Sequence, residues 1–240
     1  MFRHSVREAE DIGMVVNTKK TTMMCISDSS SFEADAYILD ADGERIGFQK
    51  EIRALRMRFS NRPSMAAHIE HIRKSFRSRL WILRNLKNCG FTQEELTRVY
   101  ATMIRPVSDY GCVVYHSSLT DEQDEELDRL QNQALKCILG PGLSGRRMRE
   151  LAGVCTLRQR REDLCDKFAA KLAANPHFSD WFPIKSTRAS TRSGVKREVY
   201  LEKTARCSRL ADSPLFYFRR RLNGKAGKTY GKRYAEYRED

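Results

Sequence analysis

At Pro63 the apolar pattern of this chain changes period, and that change constrains its fold more than any other feature. Beyond it, Met65, Ile69, Ile72, Phe76, Leu80 and Leu83 recur every three or four residues, which is one face of a long α-helix over residues 63–89. Gly90 follows, where a left-handed residue closes a helix without steric cost. Thr92-Gln93-Glu94-Glu95 and Thr120-Asp121-Glu122-Gln123 each set a threonine three residues ahead of Glu or Gln, the reciprocal cap that opens a helix. Leu96, Val99, Tyr100 and Met103 continue the first until Pro106 interrupts it. Leu127, Leu130, Ala134, Leu135 and Ile138 form one face of the second, which Gly140-Pro141-Gly142 ends. A shorter helix is expected around residues 146–151 and a longer one over 157–174.

Before Pro63 the pattern is mixed. Residues 5–13 read as the end of a short helix stopped by Gly13. Residues 14–27 have the β-branched and apolar content of two strands around the polar turn Asn17-Thr18-Lys19-Lys20, and 34–39 and 45–49 flank a hairpin turn at Asp40-Ala41-Asp42-Gly43. Residues 52–59 alternate as one strand, with Leu55, Met57 and Phe59 on a shared face. After Trp181-Phe182-Pro183 the composition turns to Ser, Thr, Arg and Lys, with one short helix near 210–222. The expected fold is mainly α: a β-rich stretch over 1–62, a helical region over 63–140, a helical extension over 141–184 and a basic, partly disordered tail over 185–240.

Charge is unevenly placed along the chain. The net charge is +13, from 44 basic and 31 acidic residues. Residues 185–240 hold 16 basic and 6 acidic residues, leaving 28 and 25 for the first 184. Such an excess suits a polyanion, because neutralised phosphates release condensed counterions; a solubilising tail is the plainer alternative. The seven cysteines never fall two residues apart, so neither a zinc ribbon nor a disulfide framework can be written from them, and a reducing compartment is expected. The N-terminus lacks the apolar stretch of a signal peptide and no apolar run reaches membrane-spanning length. An intracellular protein without a membrane partner is expected, nuclear and cytoplasmic sites being indistinguishable.

Several blocks, in order, resemble the downstream half of the reverse transcriptases of non-LTR, LINE-type retrotransposons. Asn17-Thr18-Lys19-Lys20-Thr21 resembles the Asn-x-x-Lys-Thr turn that follows the catalytic strand pair of the palm. His68-Ile69 through Leu83 and Leu86, then Gly90, Tyr100 and Ile104-Arg105-Pro106-Val107, make a second block. Asp109-Tyr110-Gly111-Cys112 and Tyr115-His116-Ser117-Ser118-Leu119-Thr120 follow, and then Gln123, Leu127, Gln131, Ala134, Leu135, Ile138 and Gly140. Leu157, Arg160, Arg161, Leu164, Cys165, Phe168 and Ala169 complete the set. The resemblance implies a small β-rich remnant of the palm over 1–62 and a helical, thumb-like bundle that grips a template–primer duplex. It also implies RNA-directed DNA polymerase chemistry with two magnesium ions in the intact enzyme, held by an Asp and a Tyr-Ala-Asp-Asp hairpin.

Those carboxylates lie upstream of the Asn-x-x-Lys-Thr turn in the family, and no Asp-Asp pair precedes Asn17 here. The expectation is therefore a truncated fragment, non-catalytic by itself, without metal or cofactor, that keeps affinity for RNA or an RNA–DNA duplex. Whether Met1 is a true start stays open. The alternatives are a basic RNA/DNA-binding protein in its own right, or a decayed element that acts only through protein contacts. Asp40 and Asp42 read as turn residues rather than metal ligands. Lys20 matches the family's leaving-group lysine and reads as a relic without its metals. Leu55 alone survives from the family's Tyr-Leu-Gly-like primer grip, with Arg56 where glycine would stand.

Off the apolar stripe of the long helix, Arg73, Lys74, Arg77, Arg84 and Lys87 are candidate phosphate contacts, or equally a solvated face. His68 and His71 lie three apart without a visible third ligand. For Asp109, Tyr110 and His116 the resemblance implies a structural turn between thumb helices, not an acid–base site. Gly227-Lys228-Thr229 has Leu222 where a phosphate loop needs glycine, and is rejected as a nucleotide site.

Overall fold

Helix-forming pattern and helix agree closely from the long stripe onward. The computed structural model describes residues 2–26, 37–39, 43–61, 64–189, 196–200 and 213–224, and most of these are helical. They divide into two compact units, Met1–His68 and Ile69–Asp240.

The first unit opens with helix α1 (Phe2–Asp11), closed by Gly13 at φ 76°. Strand β1 (Tyr37–Leu39) pairs antiparallel with β2 (Arg45–Gly47), Ile38 opposite Ile46, as the hairpin reading expects. Asp40 and Asp42 lie outside the described residues. Residues 14–26 form no strand pair; a 3₁₀ turn at Thr18–Lys20 is followed only by an isolated parallel bridge of Met23 to Phe48. The single strand expected over 52–59 is two strands, β3 (Glu51–Ala54) and β4 (Met57–Ser60), joined by Leu55-Arg56. Both turn residues have positive φ, 48° and 64°, the geometry a two-residue hairpin demands and glycine or asparagine usually supplies. Leu55 therefore leaves the face it was expected to share with Met57 and Phe59 and is 86% exposed.

The second unit is built on helix α2 (Ala66–Asn88), of which residues from Ile69 onward belong to it. Ile69, Ile72, Phe76, Leu80 and Leu83 are buried, so the stripe faces the core. At about 25 cal/mol per Å² of apolar surface, each such side chain contributes roughly 1.5–3 kcal/mol. Thr92 caps α3 (Gln93–Val99) and Thr120 caps α6 (Asp121–Leu139), both through complete capping boxes. Pro106 does not end the helical path. A π-helical turn at Tyr100–Ile104, with the Arg105 N–H donating to Tyr100 O at 2.9 Å, delivers the proline to the first position of α4 (Pro106–Asp109). There its missing N–H costs nothing. Gly111, left-handed at φ 67°, turns the chain into α5 (Cys112–Tyr115).

Helices α7 (Gly145–Ala152) and α8 (Leu157–Ala173) follow, and each packs against α6. The segment expected to be a basic tail is packed too, in a cluster with α8 and Phe182. Strand β5 (Ile184–Ala189) pairs antiparallel with β6 (Lys196–Tyr200). Helix α9 (Pro214–Leu222) buries Tyr217 and Phe218 against Cys165, Ala169 and Phe182. Asn223 ties the end of α9 to β6, accepting from Tyr200 N at 2.8 Å and donating to Tyr200 O at 3.0 Å. Gly227-Lys228-Thr229 lies outside the described residues. Among the described residues no helix is long and apolar enough to cross a membrane.

Candidate nucleic-acid interface

The five basic residues expected on α2 separate by what they touch. Arg73 binds Glu70 one turn back and reaches Glu126 of α6 at 3.3 Å. The same guanidinium hydrogen bond holds the Glu70 carboxyl below the usual carboxylate range. Lys74 is 76% exposed and pairs with Glu70 at 3.6 Å. Lys87 donates to the carbonyls of Cys137 at 2.8 Å and Ile138 at 3.4 Å, serving the otherwise unpaired C-terminal carbonyls of α6. Arg73 and Lys87 thus fasten α2 along α6, both helices running in the same direction.

Arg77 and Arg84 are different. Both are exposed, and neither forms an ion pair or hydrogen bond among the described residues. Glu70 is the only acid in α2, and Arg73 and Lys74 already engage it. Arg77 lines a shallow depression of about 260 Å³ with Glu126, Arg129, Leu130 and Gln133 of α6. Arg129 is two-thirds exposed; its Nε donates to Glu125 O at 3.3 Å, and its guanidinium approaches the Glu125 carboxylate at 4.0 Å. Trp81, 65% exposed, stands between Arg77 and Arg84 on the outer face of α2.

In the first unit, the turn Asn17-Thr18-Lys19-Lys20-Thr21 is held by its own side chains. The Lys20 N–H donates to Asn17 Oδ1 at 3.0 Å, and Thr21 Oγ1 donates to Asn17 O at 3.0 Å. The asparagine mimics a backbone turn, and the exposed Lys20 follows from it. Hairpin β3–β4 adds basic residues that the single-strand reading hid. Arg53 sits directly opposite Arg58, both exposed, with Arg56 at the turn. Like charges directly opposed weaken a strand pair, so this face gains from an anion. A two-residue break between short alternating runs was the available signal, but Leu-Arg is not a turn sequence.

Of the residues considered for acid–base chemistry, His116 is buried and Asp109 largely so, while Tyr110 reaches the surface. Asp109 meets Arg160 at 3.3 Å, and burial raises its carboxyl above the usual range against the pull of that arginine. His116 is fully buried, its ring edge-on to Tyr217 at 5.3 Å, and Tyr110 is half exposed. Tyr115, also buried, donates to Ser108 O. Arg161, without exposed surface, pairs with buried Asp124 at 2.5 Å. Asp128 and Gln131 accept from Leu157 N at 2.9 and 3.1 Å, seating the start of α8. His68 is buried and its Nδ1 accepts from the Arg58 N–H at 3.4 Å. A wider depression of about 540 Å³ is bordered by Arg146, Arg149 and Glu150, but Arg146 bonds Glu150 and Arg149 bonds Asn132. Among the described residues no group of three His, Cys, Asp or Glu side chains converges on a point.

No protein-family model matches the chain, and no curated protein or solved structure matches it either.

Proposed function

We propose that the chain binds RNA or an RNA–DNA duplex through the outer face of α2, as a non-catalytic protein resembling the thumb-bearing part of a LINE-type reverse transcriptase. The observation that carries this reading is the pair Arg77 and Arg84. They are exposed guanidiniums, without an ion pair among the described residues, on a helix whose other face is buried in the core. A chain with net charge +13 adds long-range attraction, and the fixed arginines supply local contacts to phosphate oxygens. The order of motifs from Asn17 to Ala169 supports placing α2 in the thumb-like role, alongside a duplex backbone. Lys20 and the Arg53–Arg58 face are further basic groups available to the same kind of ligand.

The sequence contains no Tyr-Ala-Asp-Asp segment, so polymerisation is not assigned to this chain. The test is equilibrium binding of the whole chain to an RNA–DNA duplex over a salt series. Affinity is expected to fall with a log–log slope of about −0.9 for each phosphate contact. Absence of salt-sensitive binding at low ionic strength removes the reading. Primer extension with magnesium is expected to give no incorporation, and metal-dependent extension would overturn the non-catalytic assignment.

A further inference from the structure

We infer that Trp81 is a base-stacking platform, and that the outer face of α2 takes unpaired nucleotides in preference to a closed duplex. The inference deepens the phosphate-binding reading of α2 and rests on it. A lone exposed apolar side chain is ordinary on a protein surface. Trp81 is set apart by its position. Lys74, Arg77, Trp81, Arg84 and Asn88 recur every three or four residues along α2, so they share one stripe. Trp81 is at its middle and 65% exposed. From Lys74 to Asn88 the helix carries no acid.

The Trp81 ring makes no aromatic or cation–π contact among the described residues, whereas Arg45 and Arg219 each stand over a ring of their own. Arg77 and Arg84 therefore flank an open indole face without covering it. They are about 10 Å apart along the axis at 1.5 Å per residue. That arrangement pairs an aromatic surface for a base with cations for the phosphates on either side, the combination by which single strands are held without reading sequence. In a closed duplex the bases are stacked on one another and offer Trp81 no face, so only the arginines would engage it. Charge complementarity thus selects a nucleic acid, and the exposed indole selects its unpaired form.

The experiment uses the full chain with a uridylate homopolymer and, separately, an RNA–DNA duplex of equal length. Trp81→Ala is expected to weaken the single strand about tenfold and leave the duplex within twofold, while Trp81→Phe keeps most single-strand affinity. A second measurement needs no loss of the ring. In a Trp181→Phe chain, where Trp81 is the sole indole, its fluorescence is expected to quench with the homopolymer and to change little with the duplex. If wild type binds both ligands but Trp81→Ala weakens both equally or neither, or the indole does not quench, the stacking inference falls and phosphate binding stands. If neither ligand binds in a salt-sensitive way, the proposed function falls with it.

Discussion

Arg73 and Arg77 sit one helical turn apart and end in different company. Both are basic positions flanking an apolar stripe, so sequence alone treats them alike. Glu126, which engages Arg73, lies 53 residues away, and the carbonyls that bind Lys87 lie some 50 residues away. No local pattern reports such partners. The candidate site was legible as a set of cations but not as a division into anchors and free charges. Trp81 lies off the same stripe, but its exposure depends on which faces of α2 other elements cover, and no local pattern reports that. Arg161 shows the same limit in the interior: a position that reads as one more charge in a basic helix is wholly buried against Asp124. Removing Arg161 takes from buried Asp124 its 2.5 Å partner and leaves the longer contact to Arg158 at 3.9 Å. Arg161→Met is expected to cost about 3–5 kcal/mol in urea unfolding, and adding Asp124→Leu to recover most of it. Equal losses in the single and double variants would show that the pair is not the source of the cost.

The elements whose signals are local were readable in advance. The α2 stripe, the two threonine caps and the glycine stops each act within a few residues, and the structure keeps all of them. Elements decided by packing were not. Pro106 reads as a break, yet a π-helical turn carries the path through it. Helix α9 was expected as a remnant in a tail, yet Tyr217 and Phe218 are core residues, since their partners on α8 lie some fifty residues upstream. The β3–β4 hairpin failed for a different reason. Its turn residues, Leu55 and Arg56, occupy a conformation their side chains disfavour, so sequence argued for a continuous strand. Strain of about 1–3 kcal/mol per residue is stored there. Replacing Leu55-Arg56 with Asn-Gly is expected to stabilise the first unit by about 1–2 kcal/mol, read from its urea transition. An unchanged or lowered midpoint would mean that the native turn is not strained.

At the scale of the molecule, a mainly helical chain with small antiparallel sheets carries net charge +13. Its helical unit uses some cations to hold itself together and leaves others uncovered. In the proposed function the two groups have different work: anchors give stability, and the arginines without partners among the described residues give affinity. Salt dependence distinguishes the two, because each lost phosphate contact lowers the slope and a lost anchor lowers stability. The deciding measurement is the log–log salt slope on an RNA–DNA duplex for wild type, Arg77→Gln/Arg84→Gln and Arg73→Gln. The double variant is predicted to flatten the slope by about 2 at unchanged melting temperature, whereas Arg73→Gln keeps the wild-type slope and melts lower. A double variant with the wild-type slope and affinity would contradict the account.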